Sequence, residues 1–397
     1  MSERKKMGLV PRLIIGIVVG IILGSYAPEP LNRFIVTLST FFSSFLKFII
    51  PLMILSFVTM GIADLTQGAG KLLLITAAIA YGSTLIAGSC AYIVAVNLFP
   101  HFITAELLDA ITKTASNASL SAFFSLPIPP LLDVMSAVVT AFVVGLCISS
   151  MRGKELHDAL YNVFSEFSII ITTVLHNVII PLLPLYICGT FIDLTVTGQT
   201  FSILQILWKV FLTVIIMHLI CLAFQFVLSG AISKKSPLFI AKNQIPGYLS
   251  AIGTQSSAAT IPVNLKCAEA DGVSKEIRNF VIPLCANIHM AGSMITITSC
   301  VTAVLLIYKM PLNIGLILPF ILTLGVAMMA SPGAPGGSIM TALPFLPIVG
   351  IASDSSIASL LIALYITQDS FGTACNVSGD NAISIIVDTI YQKYIKK

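Results

Sequence analysis

Apolar stretches separated by short polar ones run through most of this 397-residue chain. A helix that spans a bilayer needs about 20 predominantly apolar residues. Six stretches before residue 230 are long enough, and they lie near residues 9–27, 34–62, 73–100, 129–150, 162–191 and 201–230. The pattern therefore predicts six transmembrane helices in residues 1–230.

After residue 230, polar, glycine-rich and proline-rich segments interrupt the apolar pattern at 253–262 and at 330–338. Irregular backbone is tolerated at membrane depth only where it is buried in protein or lines a cavity. Paired interruptions at corresponding places indicate a transport site built on inverted repeats. The elements predicted for residues 231–397 are hairpin 1 (about 238–267), helix 7 (about 276–309), hairpin 2 (about 314–350) and helix 8 (about 352–392). Each of the two helices has a polar break, at 287–293 in helix 7 and at 369–380 in helix 8.

The predicted helix 8 carries the strongest chemical signal. Asp369, Thr373, Asn376 and Asp380 are four, three and four residues apart, which places them on one face of a helix. A carboxylate at membrane depth costs about 2.5–3.5 kcal/mol even on mild insertion scales, so acids there usually mark functional sites. The stripe indicates a site for a cation, a substrate or both.

Composition supports an all-α polytopic membrane protein, because 57% of residues are hydrophobic and 10% are charged, against about 25% charged in soluble domains. Lys and Arg cluster at both termini, at 152–154 and at 234–242. The positive-inside rule therefore predicts a multi-pass protein of the cell membrane with both termini in the cytoplasm. The lipid bilayer is an expected partner and nucleic acid is not. The chain has no P-loop pattern, which argues against ATP as the energy source.

Three motifs resemble the dicarboxylate/amino acid:cation symporter family, which has the glutamate-transporter fold. They are SSAATIPVN at 256–264, MAGSMITIT at 290–298 and QDS at 368–370, and they are most similar to the serine/threonine symporter branch. The resemblance implies eight transmembrane helices plus two re-entrant helical hairpins arranged as inverted repeats. It also implies a homotrimer and an elevator mechanism.

In such an elevator, the scaffold would comprise the segments near 34–62, 129–150 and 162–191. The rest of residues 1–230 would move with the substrate-binding core, residues 231–397.

The resemblance also implies a site for an amino acid. Asp369 matches the carboxylate that holds the α-ammonium group, Thr373 and Asn376 match residues at the amino acid backbone, and Ser257 matches the serine at the α-carboxylate. The expected substrate-binding residues are Ser256, Ser257, Ser293, Gly333, Ala334, Pro335, Gly336, Asp369, Gly372, Thr373 and Asn376. Residues 333–336 correspond to the gating tip of hairpin 2. The expected positions for sodium, or for proton coupling, are Asn287, His289, Met290, Asn376 and Asp380.

Gly372 stands where acidic-substrate members place an arginine. An Arg–carboxylate pair is bidentate and charge-assisted, and without it a buried anionic side chain lacks compensation. The departure favours a small neutral amino acid such as serine, threonine or alanine. An acidic amino acid or dicarboxylate is the alternative substrate if an arginine of another segment reaches the site. Arg278 lies too far along the chain to be a good candidate.

His289 departs from the family asparagine whose carbonyl coordinates sodium. Imidazole is a poor ligand for a hard cation that prefers oxygen, and histidine serves in proton relays. Three hypotheses follow: sodium coupling through fewer ions, proton coupling through His289, and uncoupled exchange.

Functions of two other classes fit the sequence less well. An intramembrane aspartyl protease needs two carboxylates around one proton, but Asp369 and Asp380 lie roughly 16 Å apart on one helix. An anion-conducting channel fits the interrupted hairpins less well than alternating access does. The chain is therefore predicted to be a secondary transporter and not an enzyme.

Overall fold

A computed structural model describes residues 9–65, 70–103, 120–132, 134–151, 158–198, 200–329, 331 and 336–395. All regular structure within these ranges is helical, as the all-α prediction requires. The longer apolar runs form long helices because their backbone polar groups are then satisfied within each segment.

Over the described residues the chain forms fourteen α-helices. They are α1 (Leu9–Tyr26), α2 (Glu29–Leu65), α3 (Gly70–Leu98), α4 (Val134–Met151), α5 (Asp158–Val174), α6 (Ile180–Val196), α7 (Thr200–Ser233), α8 (Pro237–Thr254), α9 (Ser257–Ala270), α10 (Lys275–Ile288), α11 (Ala291–Ile307), α12 (Ile314–Met328), α13 (Gly337–Ala342) and α14 (Ser356–Ile390).

Five segments of the described chain are long and apolar enough to cross a membrane. They are Glu29–Met60, Leu72–His101, Asp158–Val196, Ile203–Ser233 and Lys275–Ile307. Shorter apolar helices lie at Pro11–Tyr26, Val139–Met151, Ile314–Met328 and Gly337–Val349. The third long segment continues from α5 into α6 through a π-helical turn, Leu175–Ile179. These lengths agree with a polytopic membrane protein.

The helices pack into two groups. In the first, α1 packs along α6, and α2 packs against α4, α5 and α6. In the second, α14 is the central helix and contacts α7, α8, α10 and α11, while α11 also packs on α3. Polar side chains of α14 are therefore enclosed by protein rather than by lipid, which is the usual setting for intramembrane polar groups.

The predicted helix 7 is two helices. α10 ends at Ile288 and α11 begins at Ala291, while His289 and Met290 adopt non-helical backbone conformations between them. A close approach of α11 to α14 accompanies this break, because a Cβ atom on Gly292 would lie 2.3 Å from the Gly372 carbonyl oxygen. Only glycine at position 292 allows the two backbones to lie this close.

Candidate functional site

Three interruptions of the helical backbone surround the middle of α14. Gln255, with φ 54°, and Ser256 separate α8 from α9. Gly336, with φ 75°, precedes α13, and His289 and Met290 separate α10 from α11. Such breaks leave backbone N–H groups and side chains available to a ligand within a helical bundle.

Asp369 lies at the centre of the first polar cluster and is 4% exposed. The Gly336 backbone N–H donates to Asp369 Oδ2 at 2.7 Å. The Tyr365 hydroxyl donates to Asp369 Oδ1 at 2.8 Å. The carboxylate therefore joins α14 to the residue that precedes α13, and both of its oxygens accept charge-assisted hydrogen bonds.

Ser293 lies beside this carboxylate and connects three elements. Its Oγ accepts from Asn376 Nδ2 at 3.0 Å and from Ser338 Oγ at 3.1 Å, and it lies 3.2 Å from the Tyr365 hydroxyl. Asn376 Oδ1 accepts the Gly292 N–H at 2.8 Å. Hydroxyl, amide and carboxylate groups are thus concentrated in one buried volume, which suits a small polar molecule with an amino group.

A second cluster lies further along α14. His289 Nδ1 is 2.9 Å from Asp380 Oδ1, and both side chains are almost completely buried. His289 Nε2 is 3.1 Å from Ser83 Oγ on α3, and Gln225 Nε2 on α7 donates to the same hydroxyl at 3.1 Å. A carboxylate only accepts, so Nδ1 donates to Asp380, and a neutral ring would then accept at Nε2 from Ser83. Within the described chain, Asp380 Oδ2 has no hydrogen-bond partner.

Gly379 makes room for this imidazole. A Cβ atom at position 379 would lie 2.4 Å from His289 Cε1 and 2.7 Å from Gln225 Oε1. The local sequence Gly379-Asp380 therefore both supplies the carboxylate and leaves space for the ring beside it.

The turn between α8 and α9 and the start of α9 are held against α14 by side-chain amides. Gln255 Nε2 donates to Ser370 Oγ at 2.9 Å, and Asn264 Nδ2 donates to the Val377 carbonyl at 2.9 Å. Ser256 caps α9 by accepting the Ala259 N–H, and Ser257 is buried at the first turn. The start of α9, with its partial positive charge, therefore lies close to the polar stripe of α14.

A third polar cluster lies at the other end of α9. Asp271, in the turn after α9, accepts from Asn243 Nδ2 at 2.8 Å and from Asn381 Nδ2 at 2.7 Å. Asn381 also donates to Gln244 Oε1 at 2.8 Å. Burial raises the pKa of Asp271, and the two amide hydrogen bonds oppose that rise. Because each amide is paired, the cluster anchors α8 and α9 to α14.

The structure brings most of the expected site residues together. The first cluster contains Asp369, Asn376, Ser293 and Gly336. Thr373 is buried on the same stripe of α14. Gly372 is buried against α11, where the nearest atom to an added Cβ would be Thr296 Oγ1 at 3.4 Å. Gly333, Ala334 and Pro335 lie outside the described residues.

Two of the expected cation ligands are placed elsewhere. Asn287 is exposed on α10 and donates to the Pro283 carbonyl at 3.0 Å, away from Asp380. Met290 is buried in the first cluster, with its sulfur 3.5 Å from Asn376 Nδ2, rather than beside Asp380. The last turn of α10 directs the Asn287 side chain outwards, and its role as a cation ligand stays a prediction.

Sequence reasoning missed four contributors: Tyr365, Ser338, Ser83 and Gln225. The sequence does contain a signal for Tyr365, because Tyr365 precedes Asp369 by four residues and so extends the polar stripe by one helical turn. Ser338 lies in the second interrupted segment. Ser83 and Gln225 are single polar residues in apolar helices, and only packing shows that they meet His289.

Comparisons with known proteins agree with this arrangement. A family model described as the sodium:dicarboxylate symporter family matches residues 9–390. The serine/threonine transporter SstT of Enterococcus faecalis is 27% identical over 395 residues, covering 95% of this chain and 90% of that protein. Excitatory amino acid transporter 1 of Rattus norvegicus is 30% identical over 166 residues, covering 42% of this chain and 30% of the relative. Excitatory amino acid transporter 3 of Oryctolagus cuniculus is 27% identical over 273 residues, covering 67% and 50% respectively.

Proposed function

The chain belongs to the sodium:dicarboxylate symporter family, and we propose that it is a secondary active transporter of small neutral amino acids such as serine, threonine and alanine. The observation that carries the proposal is the buried cluster of Asp369, Ser293 and Asn376 beside Gly372. The name of the Enterococcus faecalis relative, which is similar along nearly its whole length, supports serine and threonine as substrates.

In the proposed architecture, eight transmembrane helices accompany two re-entrant hairpins. α8 and α9 form the first hairpin, with its tip at Gln255 and Ser256. α12 and α13 belong to the second, whose tip includes Gly336. The first group of helices contains the trimer-forming scaffold, and the α14-centred group carries substrate across the plasma membrane as an elevator, with both termini in the cytoplasm. The two-group packing supports this division except at α1, which was expected to move with the core but packs along α6 in the first group.

Each part of the substrate has a chemical counterpart in the proposed site. Asp369 binds the α-ammonium group, and Asn376 with Thr373 hydrogen-bonds to the amino acid backbone. The α-carboxylate lies near Ser256 and Ser257, where the first turn of α9 offers N–H groups and a favourable dipole. Position 372 carries no guanidinium group that could compensate the negative charge of an acidic substrate side chain. Arg278 donates a hydrogen bond to Glu269 at 2.5 Å. A neutral side chain therefore avoids an uncompensated buried charge.

The family implies sodium coupling, in which sodium is a co-transported ion rather than a resident cofactor. The surroundings of Asp380 offer few oxygen ligands for sodium. His289 is hydrogen-bonded to one carboxylate oxygen of Asp380, and the Asn287 side chain points away from it. Hard cations prefer oxygen ligands to imidazole. We therefore propose cation coupling with one sodium position altered; proton coupling and ion-independent exchange are the alternatives.

A binding titration tests the proposed function. Purified protein should bind serine, threonine or alanine more tightly than aspartate or glutamate, measured with sodium and with choline in its place. Liposomes containing the protein should accumulate the same amino acid against a gradient, which a channel cannot do. Tighter binding of aspartate than of serine would overturn the neutral-substrate proposal. Full uptake in choline that a proton ionophore abolishes would select proton coupling.

Gly372→Arg is expected to shift preference toward aspartate and glutamate. A guanidinium at this position would offer a charge-assisted hydrogen bond to an acidic side chain, which should raise aspartate binding relative to serine by at least about tenfold. Competition of both amino acids against labelled serine measures the ratio. Gly372→Ala adds a Cβ without charge and should retain the wild-type ratio. An unchanged ratio in Gly372→Arg would place the substrate side chain elsewhere.

A further inference from the structure

We propose that Tyr365 is a specificity-determining residue, whose hydroxyl recognises the side-chain hydroxyl of the substrate and whose ring limits side-chain size. This inference rests on the proposed transport of small neutral amino acids. It concerns a residue that neither the stripe from Asp369 to Asp380 nor the family motifs identified.

The position of the hydroxyl supports this role. Tyr365 is completely buried, and its hydroxyl donates to Asp369 Oδ1 at 2.8 Å, so it lies next to the proposed ammonium ligand. The same oxygen is 3.2 Å from Ser293 Oγ, and Ser293 in turn receives Ser338 Oγ at 3.1 Å. Three hydroxyl groups from α11, α13 and α14 therefore meet beside one carboxylate.

The chemistry of hydroxyl groups explains why this arrangement favours serine or threonine. A hydroxyl donates one hydrogen bond and accepts up to two. The Tyr365 proton goes to Asp369, which leaves its oxygen able to accept from a substrate hydroxyl, while Ser293 and Ser338 can reorient to donate or accept. A site built around such partners discriminates against an analogue that lacks the hydroxyl, because its own polar groups then lose a partner.

The ring supplies the size limit. Tyr365 is one of the largest completely buried side chains in the described chain, and it sits one helical turn before Asp369 on the same face of α14. Because the ring is closely packed, it cannot move aside for a larger substrate unless the side chains around it rearrange. Substrate side chains that extend past Ser293 toward α14 would therefore meet it.

Tyr365→Phe tests the role of the hydroxyl. The serine-to-alanine affinity ratio should fall about five- to tenfold, the size expected for losing one neutral hydrogen bond. A change that only disturbed Asp369 would weaken both amino acids equally and leave the ratio constant. Tyr365→Val should in addition admit larger neutral amino acids such as leucine and glutamine, measured by their competition against labelled serine.

Tyr186→Phe is the matched control, because Tyr186 is also a buried tyrosine whose hydroxyl bonds to a serine of α14, Ser359, outside the site. It should leave the ratio unchanged. Without any variant, wild-type protein should bind serine more tightly than its O-methyl ether, which lacks the donor and is larger. An unchanged ratio in Tyr365→Phe, or equal binding of serine and the ether, would overturn the role of Tyr365. Wild-type preference for aspartate would instead overturn the transport proposal on which it rests.

Discussion

Replacing Asp369 with alanine is expected to abolish amino acid binding. The carboxylate is buried, and in the proposed complex it is the charge that pairs with the substrate ammonium group. An ammonium group in the same position without that partner would lose about 3–5 kcal/mol, which lowers affinity by at least 100-fold. Binding titration of serine to the purified variant measures the loss.

Two further variants make this result interpretable. Asp369→Asn keeps the shape of the side chain: its Oδ1 can still accept the Gly336 N–H, and its Nδ2 can donate to the Tyr365 hydroxyl oxygen. It should therefore fold well and still fail to bind. Asp388→Asn removes a carboxylate near the end of the same helix, where its Oδ1 accepts from Ser274 at 2.5 Å, and should bind normally. If Asp369→Asn bound serine as tightly as the wild type, the ammonium group would not lie at Asp369.

Much of the architecture follows from hydropathy, because the bilayer allows few alternatives to helices. The predicted family is confirmed by the match over residues 9–390, and the family and its relatives are transporters rather than enzymes. The interruption at 253–262 coincides with the Gln255–Ser256 break, and Gly336 falls within the interruption at 330–338. The break between α10 and α11, at His289 and Met290, lies within the polar segment 287–293 of the predicted helix 7.

The polar stripe of α14 was visible in the sequence because a helix gives fixed spacing along one chain segment. Partners from other segments were not visible. Ser83 and Gln225 resemble the many isolated polar residues of apolar helices until packing brings them to His289. Asn287 is the opposite case, since its place in a motif predicts a ligand while the helix turn directs its side chain outwards. Prediction of the site was therefore strongest within one helix and weakest between helices.

His289→Asn is expected to make transport depend more steeply on sodium, by about one additional ion per amino acid. The imidazole now occupies the space beside Asp380 and takes its Oδ1 at 2.9 Å. Asparagine is smaller and offers a carbonyl oxygen, the ligand type that hard cations prefer. Sodium activation curves and the charge moved per serine in liposomes measure the change. His289→Ala is unsuitable, because removing one member of a buried pair costs about 3–5 kcal/mol.

Ser83→Ala provides the comparison for this result. It removes the hydrogen bond to His289 Nε2 but leaves the ring beside Asp380, so the number of sodium ions per amino acid should not change. A steeper sodium dependence in His289→Asn alone would mean that the imidazole stands where a coupling ion could bind. The same sodium dependence in wild type, His289→Asn and Ser83→Ala would mean that the ring has no influence on ion coupling. The altered cation position would then have to lie away from Asp380.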